Sequence, residues 1–147
     1  MALTLCALVL VTGCGLWGRE TVRADAGAVR QVLDIGRAIA QTTEDPIFGD
    51  VIQIDDILVM DVGASSFAEG VDIASGRLAE RGWSPVSKDA RGALMKSKRW
   101  KDTSLTIQPF KTGNEYGLEL PDSVAEKVRL TSGPGIYVLV VVTRVRP

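Results

Sequence analysis

Hydrophobic positions along the chain change period several times, and each change marks an element. Residues 2–13, ALTLCALVLVTG, are apolar and uncharged. A run this short does not cross a bilayer, which takes about 20 residues. From Asp25 to Gln41 the spacing is helical: Ala28, Val29, Val32, Leu33, Ile35, Ile39 and Ala40 share a broad face, while Arg30, Asp34, Arg37 and Gln41 line the other side. Asp25 is the expected N-cap. Pro46, after TTED, disfavours helix at Asp45.

Residues 51–62, VIQIDDILVMDV, predict a strand with a break at Asp55–Asp56. Ser66 and Glu69 then form a capping-box pattern, and Phe67, Val71, Ala74 and Leu78 fall on one helical face. Gly82 is the expected C-terminal stop, with Trp83 folding back onto the last turn. WSPVS reads as an edge strand, because Pro85 cannot donate to a ladder. ALMKSKRW and SLTIQPF read as a hairpin turning near Lys101 and Asp102. Residues 112–135 are loop-rich, with room for a strand at 116–120 and a helix at 122–128. IYVLVVVTRV is apolar on both faces and belongs in the middle of a sheet. This order predicts an α+β domain, with two helices packed on one face of a mainly antiparallel sheet of about four to five strands.

Composition narrows the chemistry. The 147 residues are 46% hydrophobic and 24% charged, an ordinary balance for one domain. A net charge of −1 gives no global field for nucleic acid or an acidic membrane. Histidine is absent, which removes the commonest general base and zinc ligand. The only cysteines, Cys6 and Cys14, lie near the N-terminus and cannot staple the domain to itself.

The tetrad Val11, Thr12, Gly13 and Cys14 places an aliphatic and two small residues before a cysteine, directly after the apolar run. This resembles the lipobox of bacterial lipoproteins, with Val11 where leucine is more usual. No Lys or Arg precedes the run. The resemblance implies a signal peptide over 1–13, a lipidated Cys14 as mature N-terminus, a tether over 14–24, and a single domain over 25–147. It also implies a lipid-anchored place on the extracytoplasmic face of the cell membrane. Trp17, in the tether, suits either the lipid interface or the domain surface. The stretch from Phe67 to Phe110 is loosely similar to small uncharacterised lipoproteins of high-GC Gram-positive bacteria, and 11 Arg against 6 Lys agrees with that background.

Charge is segregated. Residues 38–76 hold eight acids and no base, whereas residues 77–111 hold nine bases and three acids. Lys96, Lys98, Arg99, Trp100 and Lys101 form the densest basic group, a surface suited to an anionic envelope polymer or lipid head groups. The same charges also serve to protect a sheet edge or to neutralise the acidic stretch. An exported domain seldom meets nucleic acid, so no nucleic-acid partner is expected. Asp55, Asp56 and Asp61 lack the closely spaced oxygens and glycine turn of a calcium loop, and no metal or cofactor is expected. Nucleophile and P-loop motifs are missing.

The leading expectation is a non-enzymatic, membrane-tethered module that binds an envelope protein or anionic polymer. The alternatives are a small envelope hydrolase using Asp or Glu chemistry, and a soluble intracellular domain with a buried apolar N-terminus.

Overall fold

The hydrophobic stretch from Val51 to Ala64 forms one unbroken strand, β4, and the rest of the fold is assembled on it. The computed structural model describes residues 18–110, 121–131 and 135–146. Before β4 come β1 (Glu20–Arg23), α1 (Ala26–Leu33), β2 (Arg37–Glu44) and β3 (Ile47–Phe48). After it come α2 (Phe67–Glu80), β5 (Trp83–Asp89), β6 (Gly92–Ser97), β7 (Thr103–Phe110), α3 (Asp122–Thr131) and β8 (Ile136–Arg144).

The sheet runs β1-β4-β8-β7-β6-β5, and β2 and β3 also pair with β4. The strand pairs are antiparallel except β1 with β4, which run parallel with Glu20 opposite Val51. Among the described residues this is an eight-stranded mixed sheet with three helices, not two helices on four or five strands. The undercount arises before β4. Residues expected to be tether or helix are strands there.

Alternation along β4 separates two cores. Leu58, Met60 and Val62 face α1 and α2, with Val29, Val32, Val71 and Leu78 packed over them. Ile57 and Val59 face the other way, against Val124 and Val128 of α3. Both sheet faces therefore carry helix, which corrects the expectation of one covered face. The apolar β8 lies between β4 and β7, and this central place accounts for its lack of alternation.

The helix expected over 25–41 stops at Leu33, after an N-cap in which the Asp25 carboxylate accepts from Gly27 N–H at 2.7 Å. A Cβ at Gly36 would run into the Asp61 carbonyl oxygen, so the chain crosses β4 there at a distance only glycine permits. Beyond Gly36 the chain is extended. A bulge between Ala38 and Ala40 lets the consecutive residues Ile39 and Ala40 both point into the α3-side core. The expected helical face was two different faces of the protein. Likewise Glu20–Arg23, expected to be tether, is β1, and Ala24 is buried.

Local signals held for α2. Ser66 Oγ accepts from Glu69 N–H at 3.1 Å, and the Glu69 carboxylate reaches back to Ser65, accepting from its N–H at 2.7 Å and from its hydroxyl. Gly82 takes a positive φ of 89° after the last turn. Phe67, expected on the buried face, is exposed. Trp83 is buried and donates its indole N–H to the Gln31 side chain of α1 at 2.9 Å.

Candidate functional site

The basic group read from sequence sits at one end of the sheet. Lys96 is exposed near the end of β6, and the strand stops at Ser97 rather than continuing to Trp100. Ser97 Oγ accepts from the N–H groups of Arg99 and Trp100 at 3.1 and 2.9 Å, which folds residues 98–102 into a tight turn. Asp102 closes the turn with a positive φ of 58°, a conformation Asp tolerates better than most residues.

Trp100 is not an open stacking platform. Its ring is half-buried against the α1–α2 core, 6.4 Å from that of Trp83, and lies so near Gly27 that a Cβ there would come within 2.9 Å. Arg99 covers it, with the guanidinium carbon 5.2 Å from the ring centroid. Trp100 thus anchors the turn, and Lys96, Lys98, Arg99 and Lys101 are left exposed around it.

Residues distant in sequence complete this end. Val145 N–H donates to the Asp102 carbonyl at 2.9 Å, and Thr103 is opposite Arg144. Arg146 then reaches Glu20 at 3.4 Å and Asp50 at 3.9 Å. Glu20 starts β1, and Asp50 sits in the β3–β4 turn after Ile47 and Phe48. Two hollows flank Val145 and Arg146: one of about 320 Å³ shared with Lys96 and Asp102, and an apolar one of about 310 Å³ shared with Val22 and Phe48. The basic turn, the end of β8 and the Ile47–Phe48 tip form a continuous surface.

Neutralisation by the acidic stretch accounts for little of the charge. Among the described residues, one ion pair joins the two regions, Lys88 with Asp72 at 2.5 Å. Lys96, Lys98, Lys101 and Arg144 form no ion pair with another described residue.

The acids of β4 are tied up one by one. Asp56 is fully buried on the α1 side and accepts from Arg23 Nε at 3.1 Å and Nη2 at 2.5 Å. This contact, chiefly its hydrogen bonds, raises the pKa of the Arg23 guanidinium. Asp55, on the opposite face, accepts from Gln53 at 2.8 Å and Thr143 at 3.0 Å. Asp61 pairs with Arg37 at 3.0 Å, and that hydrogen bond, aided by the Gly63 N–H, holds its pKa below the usual value. Each has its own partner, so the strand needs no break at Asp55–Asp56. Among the described residues no three acids or cysteines gather as metal ligands would.

Arg23 and Asp56 also wall a hollow of about 330 Å³ with Arg30 and Gln41. A shallower one of about 210 Å³ lies at the far end of the sheet, beside Asp89, Arg91 and Gln108.

Cys14, Trp17, the apolar segment 1–13 and the strand expected at 116–120 lie outside the described residues. Among those described, no helix is long and apolar enough to cross a membrane. Sequence reading missed Ile47, Phe48, Arg144, Val145 and Arg146. An Arg-Val-Arg run after the last apolar strand and an Ile-Phe pair between Pro46 and Gly49 were the available signals. Their proximity to the basic turn depends on strand register. Compared with known proteins, the chain matches no family model, and no curated protein or solved structure is significantly similar to it.

Proposed function

We propose that the chain is an extracytoplasmic lipoprotein, tethered to the cell membrane by lipid on Cys14, whose domain is a non-enzymatic interaction module. The observation that carries this reading is the Val11-Thr12-Gly13-Cys14 motif directly behind the apolar run of residues 2–13. Two acyl chains on one cysteine hold firmly, at about 0.8 kcal/mol per buried CH₂, where a single chain exchanges.

Binding suits the surface better than hydrolysis does. Each of the four hollows described above, all among the described residues, has at most one carboxylate on its wall, and in the deepest-set case, Asp56, Arg23 already occupies it. Glycoside hydrolysis by carboxylates takes two, roughly 5 to 9.5 Å apart. The exposed lysines instead offer charge to an anionic polymer, a lipid head group or an envelope protein.

Metabolic labelling with a palmitate analogue tests the anchor. Label on the wild-type chain and none on Cys14→Ser is the expected result. A wild-type chain that stays unlabelled, or a Cys14→Ser chain labelled equally, would overturn it.

A further inference from the structure

Four cations without an ion pair among the described residues and three of the exposed large apolar side chains share one end of the sheet, and β1 begins at that same end. Ile47, Phe48 and Val145 are 55%, 62% and 52% exposed, large values for side chains that gain by leaving water. Around them stand Lys96, Lys98, Lys101 and Arg144, without ion pairs among the described residues. Glu20 and Asp50 both face Arg146, which offsets one of their two charges, and Asp102 lies in the turn itself; against these three acids stand six cations, Lys96, Lys98, Arg99, Lys101, Arg144 and Arg146, so this end keeps a positive balance.

The start of β1 and the short stretch of sequence before it keep Cys14 near this end. β1 runs parallel to β4, so its first residue, Glu20, lies beside Val51 at the Ile47–Phe48 tip. Cys14 is six residues before Glu20 in sequence. Six residues span at most ~20 Å.

We propose that this end is a bilayer-docking surface: Ile47, Phe48 and Val145 enter the head-group layer while Lys98, Lys101 and Arg144 meet anionic lipid phosphates. The orientation rests on the lipid anchor proposed above. The docking chemistry itself does not. Apolar tip and basic rim are the two components of interfacial binding, and each basic residue near an anionic surface multiplies partitioning roughly fivefold. The domain would then stand on the membrane by this end, presenting the β5–β6 turn around Ala90 outward.

The test uses the full chain, expressed and purified from bacterial envelopes. A thiol-reactive, environment-sensitive fluorophore is placed at Phe48→Cys or at Ala90→Cys, and the protein is reconstituted in phosphatidylcholine vesicles with or without 30% phosphatidylglycerol. Mass spectrometry of the N-terminal peptide reports the anchor separately. With Cys14 acylated, emission from position 48 should shift to the blue and be quenched by spin-labelled lipid, and emission from position 90 should not. Lys98→Glu with Lys101→Glu should weaken the quenching at position 48 several-fold. An acylated protein whose position 48 stays in water, or whose two positions respond alike, would overturn the proposal. So would a shift seen only in native envelopes, which would assign the surface to a protein partner.

If Cys14 proves unmodified, the anchor reading fails and docking is judged on Cys14→Ser. Partitioning of that chain onto anionic vesicles should fall roughly tenfold or more with the double charge reversal, because any contribution from residues 2–13 is common to both chains. Equal partitioning would overturn docking as well.

Discussion

Arg23 reaches from β1 to Asp56 on β4 with two hydrogen bonds of 3.1 and 2.5 Å, clamping the first strand of the domain to its central one. Asp56 is fully buried, whereas half of the Arg23 side chain remains in water. The pair therefore matters more for what its loss leaves behind than for its own attraction. Arg23→Gln should lower stability by about 3 kcal/mol, the low end for breaking a buried pair because of that exposure. Asp56→Asn should cost less, and the double variant little more than Asp56→Asn alone. Urea unfolding of the four proteins measures the coupling, and a value under about 0.5 kcal/mol would contradict this account.

Two glycine-to-alanine changes should act in opposite directions. Gly36→Ala puts a methyl group against the Asp61 carbonyl, a backbone atom that cannot swing aside. It should destabilise by about 1–3 kcal/mol. Gly76 is exposed on α2 with open space around it, so Gly76→Ala should stabilise by about 0.5–1 kcal/mol through helix propensity. Paired thermal melts decide both signs.

Gln31 is only half-buried, yet its side chain accepts the indole N–H of the buried Trp83. Gln31→Ala leaves that donor unpaired and should cost about 1–2 kcal/mol, several times an ordinary surface change. Denaturation followed by tryptophan fluorescence reports the loss, together with an altered native spectrum.

The pH profile should be flat and then drop on the acid side. No histidine is present to titrate between about pH 5.5 and 7. Asp61 has a folded pKa below its ordinary value because of the Arg37 hydrogen bond and the Gly63 N–H. The unfolded chain therefore takes up that proton more readily. The contribution is fully present above about pH 4 and disappears as pH falls through the lower folded value. Urea midpoints should hold from pH 7 to 5.5 and fall below pH 4. Asp61→Asn should remove part of that fall.

Local chemistry made part of this architecture readable in advance. The Ser66 cap, the 3.6-residue spacing over Val71, Ala74 and Leu78, and Gly82 specify α2 within one stretch of chain. Pro85 and the apolar run from Ile136 likewise mark an edge and a centre by what they deny or demand of neighbours. The basic turn is visible as composition, but the packing of Trp100 against α1 is not.

What the chain by itself determined, then, are the features whose partners lie within a few residues: α2 and its caps, the β6–β7 hairpin, and the placing of a cysteine behind an apolar run. Tertiary structure decided the rest. Ile39 and Ala40 satisfy a helical face and a bulged strand equally, and only the open hydrogen-bonding edge of β4 selects the strand. Nothing local assigns Glu20–Arg23 to a parallel partner 31 residues later, or brings Arg146 beside Glu20 and Asp50. Such pairings are chosen by backbone hydrogen bonds and burial summed over the whole sheet, which periodicity in a short window does not contain.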